Sequence, residues 1–200
     1  MREDRYDAAW ALARPYMRAR KNDVHIPISF DYARRLLEHH PEADRDVVLL
    51  GILLHDIGWA VVDQEAIVTE GFGPDMLTSA VRIAHEREGA RLAGEILDEL
   101  GEPTPVRDEI VEIIAGHDTR LHALSRNDEL VKDADKLWRF TVTGIAVGCD
   151  WLGLSPGAYA DDIEPQIDGL FVAESRELAR ADIEHTRALL QTALLADAPR

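Results

Sequence analysis

Cysteine is nearly absent from this chain of 200 residues, which contains only Cys149. A single cysteine can form no internal disulfide and cannot build a cysteine-based zinc cluster. Long hydrophobic runs are absent too, since no uncharged apolar segment approaches the roughly 20 residues that span a bilayer. The first ten residues, MREDRYDAAW, carry both charge signs and do not resemble a secretory signal. We therefore expect a soluble cytoplasmic protein.

Basic charge is scarce as well. The chain has 22 Lys and Arg residues against 38 Asp and Glu residues, and its formal net charge is -16. It shows no Lys/Arg cluster of the kind that follows a phosphate backbone, and a field of this sign repels nucleic acids and anionic membranes. We expect neither as a partner. A small phosphorylated substrate is still compatible with this charge, because bound metal ions can reverse the local potential.

Sustained alternation of apolar and polar residues, the pattern of a half-buried strand, is also missing. The periodicity is helical instead, and it predicts an all-α, single-domain helical bundle with about seven or more helices. The segment Gly144 to Phe171, rich in Gly, Pro and Asp, predicts loops with one short helix at most, and such a segment is often a lid. The predicted helices cover residues 6–20 with a kink at Pro15, 29–39, 44–54, 78–100, 105–116, 128–142 and 173–195.

The stretch GILLHDIGW, residues 51–59, places His55 and Asp56 at the end of an almost entirely apolar run. Burying an unpaired polar group costs about 1–3 kcal/mol, and an isolated charge costs more. These two side chains therefore need polar or charged partners in the interior of the protein.

Helical phase identifies further polar side chains that point inward. His85 shares a face with apolar residues of its predicted helix, His117 continues the inner face of the next, and Asp135 lies on the inner face of the one after. His25 stands just ahead of the second predicted helix. One buried histidine is usually a hydrogen-bonded core residue, but here six inward polar residues would each need separate compensation. A shared metal site compensates them together, and imidazole with carboxylate suits Mn, Fe, Co, Ni or Zn.

The ordered combination of these residues resembles the HD superfamily of metal-dependent phosphohydrolases. The pattern of that superfamily is a histidine, a His-Asp doublet and a distant aspartate. Here it corresponds to His25, to the doublet in LLHDIG and to Asp135 in KDADKLWR. His85 in AHEREGARLAGEIL and His117 in EIIAGHDTR are similar to the two further histidines of the dinuclear branch. The resemblance spans about residues 20 to 142, and the GYP signature of the HD-GYP phosphodiesterases is absent.

The resemblance implies one or two divalent metal ions, with Fe, Mn, Ni, Co, Zn and Mg all compatible. Asp56 would bridge two metals and act mainly as a ligand. The implied domain has an N-terminal helix in residues 1–20 packed on the core, the HD metal-binding core in residues 21–145, and a lid and C-terminal helix in residues 146–200. The implied ligands are His25, His55, Asp56, His85, His117 and Asp135.

The reaction implied by the resemblance is hydrolysis of a phosphate ester of a small molecule, a nucleotide or another phosphorylated metabolite, by a metal-activated water. The enzyme would be a phosphomonoesterase or a phosphodiesterase. Two alternatives stay open: a di-iron oxygenase of the same fold that acts on a small polar substrate, and a metal-binding protein without turnover.

Four residues near the implied ligands are candidates for other roles. Arg139 lies one turn after Asp135 on the same helix face and could reach a phosphate, although a surface arginine is the alternative. Lys136 and Arg120 are weaker candidates for substrate binding. Asp118 directly follows His117 and is either a proton-transfer group, a group that supports the ligands, or an exposed capping residue. The C-terminal helix packs on the core or on a second subunit, so a homodimer is a further expectation.

Overall fold

The computed structural model describes residues 3–63, 65–67 and 78–196. Within these ranges the chain forms helices and no strand, which confirms the predicted all-α fold. The α-helices are α1 (Glu3–Ala13), α2 (Asn22–Leu37), α3 (Arg45–Leu54), α4 (Ala80–Glu99), α5 (Thr104–Ile114), α6 (Arg126–Leu137), α7 (Val142–Leu152), α8 (Pro156–Ile163) and α9 (Ala173–Ala196). Short 3-10 helices lie at Arg14–Tyr16, Ala19–Lys21, Ile57–Ala60, Trp138–Phe140 and Glu164–Gly169.

Helix α3 lies at the centre of the bundle. It starts at a capped end, because the carboxylate of Asp44 accepts hydrogen bonds from the backbone N–H groups of Asp46 and Val47. Every residue from Val47 to Leu54 is buried. A helix that is apolar on all sides is stable only when other helices surround it, and α1, α2, α5 and α6 pack against α3. The central helix thus carries the His-Asp doublet at its C-terminal end into the interior.

The 3-10 helix Ile57–Ala60, directly after the doublet, packs tightly on α4. Gly58 makes this approach possible, since a Cβ atom there would lie 2.0 Å from the backbone carbonyl oxygen of His85. Helix α4 packs in turn along α5. The chain therefore holds the doublet, His85 and the end of α5 in one region of the bundle.

Helix α2 begins earlier than the sequence pattern predicts, at Asn22 instead of Ser29. His25 therefore lies inside α2 and not ahead of it. Pro27 is also inside the helix, on its exposed side, while Ile26 and Ser29 are buried. Pro27 removes only one backbone donor near the start of α2, and burial of the opposite face keeps the helix together.

The prediction of loops for residues 144–171 is wrong, because this segment contains most of α7, all of α8 and a 3-10 helix. Two of its glycines serve close packing: a Cβ atom at Gly148 would lie 2.2 Å from the ring of Tyr159, and one at Gly144 would lie 2.1 Å from the carbonyl oxygen of Trp138. Pro156 stands at the start of α8, where a missing N–H costs nothing, and Ser155 caps that end. Glycine and proline here lie at helix contacts, at a helix start and, for Gly153, at the left-handed end of α7.

Two predicted helix ends also differ from the structure. The first predicted helix, residues 6–20, breaks into α1 and two 3-10 turns around Pro15, and the predicted helix 128–142 ends at Leu137. Helix α9 packs on α6, on α8 and on the 3-10 helix Glu164–Gly169. No helix among the described residues combines the length and the apolar character that crossing a bilayer requires.

Candidate metal centre

The His-Asp doublet is held in a fixed orientation by its neighbours. Nδ1 of His55 lies 2.8 Å from the carbonyl oxygen of Ile52, one turn earlier in α3, so Nε2 faces the centre of the bundle. The indole N–H of Trp59 donates to Oδ1 of Asp56 at 2.9 Å. The side-chain amide of Asn22 donates to the backbone carbonyl of Asp56 at 2.9 Å. Both side chains of the doublet are buried, and each has hydrogen-bonding partners.

On one side of Asp56, α2 and α6 bring in His25 and Asp135. Nε2 of His25 lies 2.9 Å from Oδ1 of Asp135, and Nε2 of His55 lies 3.1 Å from the same oxygen. Oδ2 of Asp56 is 3.4 Å from Nδ1 of His25. Trp138 stacks on the ring of His25 with the ring centroids 4.7 Å apart. We call this group, His25, His55, Asp135 and Oδ2 of Asp56, the first half of the centre.

On the other side, α4 and the end of α5 bring in His85 and His117. Nε2 of His117 lies 3.3 Å from Oδ1 of Asp56 and 3.4 Å from Nε2 of His85. Nδ1 of His117 lies 2.9 Å from the carbonyl oxygen of Ile114, which turns Nε2 inward. His85 stacks on Trp59 with the centroids 3.7 Å apart and the planes at 12°. We call this group, His85, His117 and Oδ1 of Asp56, the second half.

The turn after α5, residues 116–120, is fixed by two buried charged side chains. The carboxylate of Glu86 accepts hydrogen bonds from the N–H groups of Asp118 and Thr119, both at 2.8 Å, and from the hydroxyl of Thr119 at 2.6 Å. The ammonium of Lys132 donates to three backbone carbonyls of the turn at 2.6, 3.0 and 2.8 Å. Buried charges need such full sets of partners. Together they fix the backbone that carries His117.

The charges of the centre shift the pKa values of its members. Burial acts to lower the pKa of His25, but hydrogen bonds with Asp135 and Asp56 outweigh it and raise that pKa to about 9. Burial also acts to lower the pKa of His117, but its hydrogen bond with Asp56 and the nearby carboxylates outweigh burial and raise that pKa to about 9. Burial and the neighbouring charge of His117 lower the pKa of His85 to about 3. Although burial opposes it, the charge of His55 holds the pKa of Asp56 well below its usual range.

The donor set fits divalent metal ions. Ligand atoms from His25, His55 and Asp135, and others from His55, Asp56 and His117, lie within 4.8 Å of one another. Two ligands about 2.1 Å from one ion stand roughly 3–4 Å apart, close to the separations measured here. Nε2 of His85 and Nε2 of His117 face each other beside one carboxylate oxygen. A shared cation would satisfy both nitrogens, and the outward contacts of Nδ1 on His55 and His117 are those that orient metal-binding histidines.

The centre opens into a cavity of about 400 Å³ that His25, Asp56 and Asp135 line at its base. Lys136 and Arg139, both predicted as substrate-binding residues, line this cavity. Arg120 is not among its lining residues: its guanidinium donates to Oδ2 of Asp128 at 3.2 Å and to the carbonyl oxygen of Glu112 at 3.1 Å. We therefore remove Arg120 from the proposed substrate-binding group and assign it to the fixed turn after α5.

Arg20 and Arg82 also line the cavity, and sequence reasoning missed both. The guanidinium of Arg20 lies 4.4 Å from the ring centroid of Trp59 and 5.0 Å from that of Trp151. Arg20 has a positive φ of 48° and Lys21 one of 58°. Such backbone conformations are unfavourable for residues with a Cβ atom and persist where packing imposes them, often at functional sites.

Other residues that support the centre could have been identified from their positions in the sequence. Trp59 stands three positions after Asp56, and Glu86 directly follows His85. Lys132 lies one turn before Asp135, so the helical phase that turns Asp135 inward also turns Lys132 inward. By contrast, nothing in the sequence around Arg20 indicates that it reaches the centre, because its contacts depend on residues about 40 and 130 positions away.

The fold and the site define a class of protein: an all-α protein with a buried centre of histidines and aspartates, able to hold metal ions at the base of a cavity. The sequence model of the HD domain matches residues 25–139, more than half of the chain. The chain therefore belongs to the HD-domain family. The matched range contains all six of the implied ligands.

A crystal structure of a predicted HD superfamily hydrolase from an uncultured Thermotogales bacterium has a similar fold. The TM-score is 0.63, the sequence identity is 16%, and the similarity covers 95% of this chain and 91% of that chain. At this identity the comparison shows the shared fold, including the helices outside the matched domain. No curated protein is similar enough to this chain to count as a match.

Proposed function

We propose that this protein is a metal-dependent hydrolase that cleaves a phosphate ester of a small molecule. The observation that carries the proposal is the position of the His/Asp centre at the base of a cavity lined by Arg20, Arg82, Lys136 and Arg139. The chain as a whole has a net charge of -16. Four aspartates line the same cavity, so these cations balance its carboxylates, and bound divalent ions would make it net positive and would favour an anionic substrate.

The six predicted ligands would hold one or two divalent ions. When bound, such ions supply an activated water and bind the oxygens of the transferred phosphoryl group. The chain supplies rigidity: Trp59 and Asn22 hold Asp56 by its side chain and by its backbone. Ligands that are already in place need no rearrangement during the reaction, which is the condition for strong electrostatic stabilisation.

The cations of the cavity wall are suited to bind phosphoryl oxygens. Arg139 is kept at the wall by Gln166, whose side-chain oxygen accepts a hydrogen bond from Nη1 at 3.1 Å. The ammonium of Lys136 lies 5.8 Å from the ring centroid of Phe171. A guanidinium can donate two parallel hydrogen bonds to two oxygens of one phosphate. We expect these residues to orient the ester over the centre and to offset negative charge.

Another part of the cavity wall is aromatic and aliphatic, and it would contact the rest of the substrate. It includes Trp138, Trp151, Leu152 and Tyr159. A cavity of about 400 Å³ lies in the range that fits small-molecule ligands. The substrate class is therefore a phosphate ester with a compact organic group.

The test combines metal analysis with a substrate screen. Protein purified without added metal is analysed for its elements and then assayed with Mn²⁺ on a panel of phosphomonoesters and phosphodiesters. We expect hydrolysis by the wild type, loss of metal and of hydrolysis in Asp56→Asn, and neither loss in Asp150→Asn, which changes an exposed aspartate of α7. Turnover that consumes dioxygen, or full hydrolysis by Asp56→Asn, would contradict the proposal.

A further inference from the structure

Asp118 is a carboxylate beside the centre that lies outside the residues implied as ligands. It follows His117 directly, and its side chain is 20% exposed. Its Oδ2 lies 3.6 Å from Nε2 of His85, within the spacing of ligands that share one ion. Ligand atoms of His85, His117 and Asp118 all lie within 4.8 Å of one another. We propose that Asp118 is a metal ligand that completes the second half of the centre, an assignment that rests on the proposed metal site.

The first argument is the equivalence of the two halves. The first half has two imidazoles, one oxygen of Asp56 and the terminal carboxylate of Asp135. Without Asp118, the second half has two imidazoles and the other oxygen of Asp56, and no terminal carboxylate. Asp118 supplies that missing donor on the side of His85. With it, each half has two nitrogen and two oxygen donors, a set that suits divalent first-row metals.

The second argument is the way in which Asp118 is held. Its backbone N–H donates to Oε1 of Glu86, the residue next to His85 in α4. Its side chain accepts from Arg82, one turn earlier in the same helix, with Nη1 of Arg82 2.8 Å from Oδ2. One face of α4 therefore positions both His85 and Asp118. Carboxylates that bind metals are commonly hydrogen-bonded to such a second partner, which orients the ligating oxygen.

The third argument is charge. Asp56, Asp118 and Asp135 converge on one small region that is largely closed to water. Like charges at this spacing repel, and burial adds to the cost. The guanidinium groups of Arg82 and Arg20 face these carboxylates and offset part of their charge, and divalent ions would offset the rest. The closeness of Asp118 to two other carboxylates therefore supports its role as a metal ligand.

The experiment measures metal binding and does not depend on activity. Wild type and variants are stripped with a chelator, loaded with Mn²⁺, desalted and analysed for Mn²⁺ per chain, and titration calorimetry gives the affinities. We expect two Mn²⁺ in the wild type, one in Asp118→Asn and Asp118→Ala, and two in the exposed control Asp150→Asn. The affinity of the second site should fall at least about tenfold in both Asp118 variants. Circular dichroism verifies that each variant is folded.

A second variant separates a ligand from an ion-pair partner. Arg82→Met removes the ion pair and keeps the carboxylate, so it should retain two Mn²⁺ and lose less affinity than Asp118→Asn. The electron paramagnetic resonance of the loaded protein should show a coupled Mn²⁺ pair in Arg82→Met and an isolated ion in Asp118→Asn.

Three outcomes would overturn the assignment. The first is that Asp118→Asn and Asp118→Ala bind two Mn²⁺ with wild-type affinity, and the second is that Asp118→Asn and Arg82→Met lose equal affinity for the second ion. The third is that the wild type binds fewer than two ions. A different result would refute the proposed function. A wild type that binds two Mn²⁺ but hydrolyses no ester would refute that function, and loss of one ion in Asp118→Asn would still support the ligand assignment.

Discussion

Gly58 lies where the segment after the His-Asp doublet crosses α4, and replacing it with alanine tests how strictly this contact is determined. The added Cβ atom would lie 2.0 Å from the carbonyl oxygen of His85 and 2.5 Å from the backbone nitrogen of Gly89. Ordinary contacts begin at 3.4 Å, so the two segments must separate by about 1.4 Å. Both obstructing atoms belong to the backbone of α4 and cannot rotate away.

We therefore expect Gly58→Ala to lower the free energy of unfolding by at least about 1–3 kcal/mol, the usual cost of overpacking a core. The same displacement moves His85 away from Asp56, whose Oδ1 is 3.7 Å from Nε2 of His85. Metal binding by the second half should weaken accordingly. Urea unfolding followed by circular dichroism measures the first effect, and calorimetric titration with Mn²⁺ measures the second.

Gly94→Ala, on the same helix, is the matched control. The nearest atom to its added Cβ is Cγ2 of Val111 at 3.5 Å, an ordinary contact. Alanine is favoured over glycine inside a helix by about 1 kcal/mol, so this variant should be as stable as the wild type or more stable. Equal stability of Gly58→Ala and Gly94→Ala would refute the argument that backbone contact at Gly58 positions the doublet against α4.

Three further predictions concern the centre and its surroundings. Arg20→Met should weaken inhibition by inorganic phosphate at least about tenfold, because it removes a charge-assisted contact. Arg18→Met removes an equal charge at an exposed position and should leave inhibition unchanged. Equal effects of the two changes would refute phosphate binding by Arg20. Because the pKa values of His25 and His117 are raised to about 9, both rings carry an added proton below that pH. A metal ion that binds these rings must displace that proton from each. Calorimetry should show metal affinity rising with pH up to about 9, by roughly tenfold per pH unit for each proton released; affinity independent of pH from 6 to 8 would contradict this. Lys132→Met removes the ammonium from three backbone carbonyls, of which only that of Gly116 also accepts from a backbone N–H of the described residues, and it should cost about 2–3 kcal/mol in urea unfolding. An unchanged midpoint would show that Lys132 does not fix the turn.

The sequence pattern predicted the helical architecture and the convergence of the implied ligands for one physical reason. A helix has a fixed period, so an apolar stripe determines which polar residues of the same helix face inward. This argument worked for His85 on α4, for Asp135 on α6 and for the doublet at the end of α3. Whether these side chains bind metal is still a prediction, which the metal-content measurements test.

The sequence pattern gave wrong predictions for residues whose type serves more than one structural role. Gly144 and Gly148 were interpreted as loop formers, yet they lie in α7 because the neighbouring chain leaves no room for a Cβ atom. Glycine is favoured both in turns and at close helix contacts, and only the partner decides between these uses. Arg120 illustrates the same limit. As a cation near the implied ligands it was a candidate for substrate binding, whereas in the structure its guanidinium donates a hydrogen bond to Asp128.

By itself, the amino-acid sequence determined that the chain is helical, that α3 is buried on all sides, and that histidines and aspartates on separate helices turn inward. These properties depend on helical period and on burial of apolar surface, which are local or additive along the chain. Tertiary structure alone decided that Arg20 and Arg82 line the cavity and which indole rings hold Arg20. It also decided that Glu86 and Lys132 fix the turn that carries His117 and Asp118. Those contacts join residues far apart in the chain, and their geometry exists only after the helices have packed.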